Sequence, residues 1–205
     1  MLQLLFAGAS PYVRKVRVTA AETGQTGDVE LVDVASSPMN SDPRILAANP
    51  TGKIPTLVRP EGPALYDSRV ICRYLAERAK AEGDLYPAGR LWEVLTLEAT
   101  GDALLDAALS IVYEKRFRPE NLQSNDWMQA QWTKAARTVD ALNDRWMGHL
   151  SGPVNMGQIA VGCALGYLDL RHADREWRKG HDALDDWFAA FSQRQSMLDT
   201  APPAS

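Results

Sequence analysis

A proline flanked by apolar residues, in the run Lys53-Ile54-Pro55-Thr56-Leu57-Val58, constrains this chain more than any other feature. Proline cannot donate to a sheet ladder, so an extended run that contains one is an edge strand or carries a special peptide geometry. The run follows Asn49-Pro50-Thr51-Gly52, whose Asn-Pro and Thr-Gly pairs mark turns. After it come a turn at Glu61-Gly62, a short extended piece over 64–66, and the pair Asp67-Ser68, suited to opening a helix. Backbone groups that the sheet does not use then lie beside a cation and two capping oxygens. Such a set can hold a small, charged, peptide-like ligand.

The residues around this run alternate strand and helix patterns. The apolar run 2–6 reads as a buried strand. Ser10-Pro11 opens a helix that runs to about Glu22 and is closed by Gly24. Residues 29–34 form a second strand and 43–48 a short helix. Strands at 56–58 and 64–66 flank the Glu61-Gly62 turn. A helix over 70–79 places Val70, Ile71, Tyr74 and Leu75 at helical spacing. The order is βαβ, a helical link, then ββα.

The segment 83–89 contains Pro87 and breaks this alternation. Beyond it every pattern is helical: 91–113, 127–150, a small-residue and apolar stretch over 159–170 that reads as buried, and 182–191. All six tryptophans lie in this second half, so it has a core of its own. The expected organisation is a domain over 1–80, an all-helical domain over 88–205, and a frayed tail at 201–205.

Composition sets the outer limits. In 205 residues, 45% hydrophobic and 23% charged content supports a real core. A net charge of −4 with no basic stripe argues against nucleic acid, because phosphate neutralisation needs clustered cations. The densest basic stretch, Arg171 to Lys179, is interleaved with Asp174 and Glu176, as on a solvated helix face. No apolar stretch approaches the roughly 20 residues of a membrane span. Residues 1–9 lack a cationic leading segment, and Arg14, Lys15 and Arg17 follow at once, so they read as a strand rather than a leader. Cys72 and Cys163 form no CxxC or ligand spacing, which points to buried thiols and a reducing cytoplasm.

Three motifs, in this order and before a helical half, make the chain resemble the soluble glutathione transferases, most of all bacterial members with serine at the catalytic turn. Ser10-Pro11-Tyr12-Val13-Arg14-Lys15-Val16-Arg17 resembles the family's turn into its first helix. Asn49-Pro50-Thr51-Gly52-Lys53-Ile54-Pro55 resembles the loop before its cis-proline, and Asp67-Ser68-Arg69-Val70-Ile71 its acid-serine pair. The resemblance spans nearly the whole chain. It implies a thioredoxin-like α/β domain followed by a C-terminal helical-bundle domain. One departure stands out: the family's Ser/Thr-x-x-Asp box before the buried helix is here Asn155-Met156-Gly157-Gln158. Asn and Gln can still form a capping box, without the charge.

Serine before an N1 proline is by itself an ordinary helix cap. The resemblance implies more: Ser10 donates to the sulfur of bound glutathione and stabilises its thiolate. It likewise implies a cis Ile54–Pro55 bond, with Ile54 pairing its backbone with the cysteinyl unit. Lys53 then meets the glycyl carboxylate, Ser68 the γ-glutamyl carboxylate and Asp67 the ammonium. Tyr12, Leu105, Ala108, Val112 and Tyr113 are implied to line the pocket for a small hydrophobic electrophile. The implied activity is conjugation of glutathione to such electrophiles, as in detoxification, by a cytoplasmic homodimer. Other glutathione-dependent chemistry, as in an isomerase or peroxidase, is an alternative. Thiol reductase chemistry is disfavoured, since serine stands where it needs cysteine. A non-catalytic interaction or stress protein on the same fold is the remaining alternative.

Other candidates have plainer readings. Glu98, Asp102 and Asp106 recur every four residues with no His or Cys beside them, so no metal is expected, and a solvated or dimer-contact face fits better. His149, His172 and His181 are isolated.

Overall fold

The computed structural model describes residues 1–203 and divides them into two compact units. One comprises Met1–Ala88 together with the chain from Gln195 onward; the other is Gly89–Arg194. The helical half therefore ends at Arg194, earlier than the sequence pattern suggested, and the last segment returns to the first unit. Of the expected tail, Ala201–Pro203 have no regular structure, and Ala204 and Ser205 lie outside the described residues.

The first unit is a thioredoxin-like α/β domain. Strand β1 (Leu2–Phe6) leads into α1 (Pro11–Glu22), then β2 (Val29–Asp33). A two-residue hairpin, β3 (Ser36–Ser37) and β4 (Asn40–Ser41), was not legible in the sequence. Helix α2 (Pro43–Ala48), strand β5 (Thr56–Val58), helix α3 (Ser68–Arg78) and the short α4 (Glu82–Leu85) follow. The sheet order is β2-β1-β5, with β1 parallel to β2 and antiparallel to β5. The expected strand over 64–66 reduces to one bridge, Leu57↔Leu65, in which the two residues exchange both backbone bonds at 2.9 Å. Leu5, Val34 and Ile45 form a core cluster on which Ile54 and Val58 pack.

Helices α1 and α3 pack against one another in parallel register. The Thr19 hydroxyl donates to Cys72 Sγ, and Gln25 Nε2 donates to the Leu75 carbonyl at 2.9 Å. Later residues of α1 and its following loop thus meet later residues of α3. The final short helix α10 (Gln195–Leu198) packs on α1.

The second unit is all helical: α5 (Leu91–Phe117), α6 (Asn125–Arg145), α7 (Met147–Leu150), α8 (Met156–Arg171) and α9 (Asp182–Phe191). The stretch expected as one helix over 127–150 breaks at Trp146. Helix α8 is buried along nearly its whole length, as its apolar pattern demands. Its start carries a complete capping box: the Asn155 side chain accepts from Gly157 N–H at 3.0 Å, and Gln158 Oε1 accepts from Asn155 N–H at 2.7 Å. Gly101 on α5 lets α8 approach closely, since a Cβ there would lie 2.8 Å from the Ala160 carbonyl carbon.

Two plainer readings need correction. Glu98 and Asp102 are buried, at 2% and 7% exposure, so they do not form a solvated face; Asp106 alone of the three is exposed. The basic stretch does not run along one helix face either: Arg171 ends α8, and a single 3-10 turn over Ala173–Arg175 follows. Beyond that turn Arg178 ties Asp169 to Asp185. No helix among the described residues is long and apolar enough to cross a membrane.

Candidate functional site

Sheet register gathers the first unit's candidate residues at one end. In the β1–β5 pair Leu5 faces Thr56. Continuing that antiparallel register brings Pro55 beside Phe6, at the C-terminal end of β1, where the chain turns toward Ser10. The Leu57↔Leu65 bridge is also antiparallel. Pro55 lies two residues before Leu57 and Asp67 two residues after Leu65, so both segments leave the bridge at the same end. Three segments far apart in sequence therefore meet where the strands give out.

The turn into α1 is closed by Ser10 N–H donating to the Ala7 carbonyl at 3.0 Å. Ser10 is the N-cap of α1, and its hydroxyl oxygen accepts from Val13 N–H at 3.3 Å, with Pro11 at the first helical position. That bond uses one lone pair and leaves the hydroxyl proton to be donated. The positive end of the helix dipole lies at the same place.

The Ile54–Pro55 peptide is cis, as the resemblance implied, and so is Tyr66–Asp67. The loop before Pro55 is organised by Asn49, a residue that the sequence reading passed over as a turn marker. Its side chain is 1% exposed. It donates to the Lys53 carbonyl at 3.1 Å and to Thr56 Oγ1 at 3.0 Å, and accepts from Thr51 N–H at 2.9 Å. Gly52 has φ +66°, which strains other residues, and a Cβ there would meet Ser41 Oγ at 2.6 Å and displace that hydroxyl from its 2.8 Å bond to the Gly52 carbonyl. Lys53 is exposed at the loop tip, Ile54 half-buried and Pro55 buried. Ile54 precedes the paired residues of β5.

Asp67 caps α3, accepting from Arg69 N–H at 3.0 Å, and forms a 3.1 Å ion pair with the Arg69 guanidinium. Both partners are more than half exposed, so the pair adds little stability. Burial raises the Asp67 carboxyl, but the Arg69 hydrogen bond and charge, with the more distant Lys15, outweigh it and hold it below the ordinary range. Asp67 is thus an anion at neutral pH. Ser68, 2% exposed, is the first residue of α3. Lys15 is the other residue the sequence did not single out: it is fully buried on α1, and its charge acts on Asp67.

The pocket candidates fall on both units. Tyr12, on α1, is half-buried. On α5, Leu105 and Ala108 are fully buried, Val112 is half-buried, and Tyr113 is exposed with its ring edge against Phe117 at 5.5 Å. The Ala108 carbonyl accepts from His172 Nε2 at 3.0 Å. Cys72 and Cys163 are buried free thiols. No cluster of three or more His, Cys, Asp or Glu that could hold a metal exists among the described residues.

Comparison with known proteins points the same way. The family described as glutathione S-transferase, N-terminal domain, matches residues 9–78, and the C-terminal domain family matches residues 125–190. The uncharacterized GST-like protein YibF of Escherichia coli is 32% identical, over 98% of this chain and 99% of its own. A glutathione transferase family member from Pseudomonas fluorescens, solved with bound glutathione, is 41% identical with a TM-score of 0.95, covering 99% of this chain and all of its own. A glutathione S-transferase from Methylobacillus flagellatus, solved with glutathione bound, is 36% identical with a TM-score of 0.85, over 98% of this chain and all of its own.

Proposed function

Since the chain belongs to the glutathione S-transferase family, we propose that it binds glutathione at the strand ends of its first unit and transfers the thiolate to small hydrophobic electrophiles. The observation that carries this reading is the Ser10 geometry: a hydroxyl fixed at a helix N-terminus by an accepted bond, with its proton left to donate. A free cysteine thiol ionises near roughly 8.5, and a donor plus a helix N-terminus lower that value. Ser10 holds the thiolate; it takes no proton itself. The thiol proton passes to solvent, and the thiolate attacks the electrophilic carbon: in substitution the leaving group departs with the electron pair of its bond to that carbon, and in addition the carbon's π bond breaks and the resulting anion takes a proton from water.

In this reading the rest of the tripeptide is held by charge and backbone. Ile54 pairs with the cysteinyl unit as a short added strand. Lys53 faces the glycyl carboxylate. Ser68 and the first amides of α3 take the γ-glutamyl carboxylate, and the anionic Asp67 takes the ammonium. Tyr12 and, on α5, Val112 and Tyr113 serve the electrophile, while Leu105 and Ala108 keep no accessible surface and pack within the helical unit. The Pseudomonas protein has also been solved with S-(propanoic acid)-glutathione, at 40% identity and TM-score 0.91, which supports a site that admits a substituent on sulfur. The reading includes a cytoplasmic homodimer, checked by light scattering.

The test is a glutathione titration followed by thiolate absorbance against pH, for the wild type and Ser10→Ala. Binding with thiolate formation near neutral pH, and a mutant that binds but forms little thiolate, is the expected result. Binding with no thiolate shift in the wild type would overturn the transferase chemistry. No binding would leave only the fold in common.

A further inference from the structure

The chain's last segment does not trail away from the candidate site. Four contacts tie it to α1 and to the turn that precedes that helix. Ser196 Oγ donates to Glu22 Oε1, near the C-terminus of α1. Arg14 donates to the Met197 carbonyl at 3.0 Å, and Arg17 to the Asp199 carbonyl at 3.1 Å. Pro203 then reaches Gly8, in the turn before Ser10: a Cβ on Gly8 would lie 3.3 Å from Pro203 Cδ and 3.6 Å from Cγ. Ser196, Met197 and Thr200 are buried under this arrangement.

Each contact has a physical reason. Carbonyls at the end of a helix lack intrahelical partners, and two arginines of α1 supply donors at the end of α10. Arg17 is lowered from its ordinary value by burial and by neighbouring Arg14, so both guanidinium groups sit close together under the segment. The tail's closing contact falls on the one residue of the Ala7–Ser10 turn that has no side chain. That turn is closed by the Ser10 N–H bond to Ala7, so a displacement of Gly8 is carried to Ser10.

We infer that Gly8 and Pro203 are positioning residues for the Ser10 hydroxyl: the chain's C-terminal segment clamps the turn that sets its aim. The inference rests on the proposed role of Ser10. Neither residue touches glutathione in it; both act through the turn. A hydroxyl aimed at sulfur is sensitive to displacements of a few tenths of an ångström, whereas the carboxylate and ammonium contacts at Lys53, Asp67 and Ser68 lie on other segments. Disturbing the clamp therefore changes thiolate formation and leaves glutathione affinity nearly unchanged.

A double-mutant cycle separates this from a merely structural role. Gly8→Ala pushes against Pro203, and Pro203→Gly removes the atoms it pushes on. Expected is a loss of roughly threefold or more in the thiolate fraction of bound glutathione near pH 6.5 for Gly8→Ala, with affinity within about twofold. The Gly8→Ala/Pro203→Gly double variant should return to within about 1.5-fold of the Pro203→Gly variant. If Gly8→Ala has the same effect on both backgrounds, or none, the inference falls. Should the wild type form no thiolate, the Ser10 role fails separately, and amide hydrogen exchange over 9–13 decides the clamp. Faster exchange in Gly8→Ala that Pro203→Gly restores supports it; unchanged exchange overturns it.

Discussion

Gly101→Ala and Gly148→Ala are the same chemical change inside helices of the same unit, and the structure gives them opposite signs. Alanine is favoured over glycine in a helix by up to about 1 kcal/mol. At Gly148, on α7, no atom lies within 4 Å of the added Cβ, so only that gain applies. At Gly101 the Cβ would lie 2.8 Å from the Ala160 carbonyl carbon and 3.0 Å from Ala160 Cβ and oxygen. The obstacle is backbone in the second turn of buried α8, and no side-chain rotation clears it. Helices α5 and α8 must separate by roughly half an ångström to restore ordinary contact, which undoes close packing along both. Overpacking of this kind costs about 1–3 kcal/mol, more where the neighbour cannot yield. The propensity gain is outweighed, leaving a net loss of about 1–2 kcal/mol, or a fall of roughly 2–8 °C in Tm for a chain of this size. Gly148→Ala should instead raise stability by about 0.5 kcal/mol. All six tryptophans lie in this unit, so urea or thermal unfolding followed by tryptophan fluorescence reads the affected helices directly. A Gly101→Ala variant as stable as the wild type, or more so, would refute the close α5–α8 approach.

Three further outcomes are expected. Ser10→Ala should cost only about 0.5–1 kcal/mol of stability, because the capping bond it loses is long at 3.3 Å; Ser10→Asp should keep the cap and the stability while abolishing thiolate formation by like-charge repulsion, as urea unfolding and absorbance would register. Asn155→Ala should cost about 1–2 kcal/mol, since it removes the Gly157 bond and the contact with His149 Nε2, and Asn155→Ser should recover part of it in thermal melts. His172 is pushed below its ordinary value by burial, against the raising effect of its bond to Ala108, so the unfolded chain binds a proton first as pH falls. Its contribution is therefore present above the unfolded value of about 6.5 and is lost as pH drops below it; Tm measured from pH 7.5 to 5.5, on the order of that window, should fall less steeply in His172→Gln, which keeps a donor for Ala108 but does not titrate.

What could be read from sequence followed local rules. β1, α1, α2 and β5 lie where apolar periodicity and Ser-Pro or Asp-Pro caps put them. The β3–β4 hairpin was illegible because Ser36–Ser37 and Asn40–Ser41 carry no apolar alternation to read. The break at Trp146 falls on a residue that is no helix breaker, and the nearest glycine, Gly148, lies inside α7 and not at the break. Buried Glu98, Asp102 and Lys15 were invisible for a shared reason: whether a charge is solvated depends on what a distant segment brings to it. Asn49 carried a usable signal, since Asn two residues before Thr51 is an Asx-turn pattern, but its second role, reaching Lys53 and Thr56, needs the folded loop.

The candidate site was legible as three motifs, but the sequence does not explain why they should meet. The sheet does. Leu5 opposite Thr56 and Leu57 opposite Leu65 send the chain on to Phe6, Pro55 and Asp67 at the same end of the sheet. Antiparallel registers with side chains pointing the same way differ by two residues, roughly 6.8 Å along a strand. A slip of that size would carry Lys53, Ile54 and Asp67 away from Ser10 by more than any side chain there could recover. A one-residue slip would exchange the faces of β1 and carry the exposed Gln3 to the side that buries Leu2 and Leu4. Core packing in the first unit and aim at the proposed thiolate site are thus one constraint. Variants that loosen the Leu57–Leu65 pair should lose glutathione binding in proportion to lost sheet protection, even though neither residue faces the ligand.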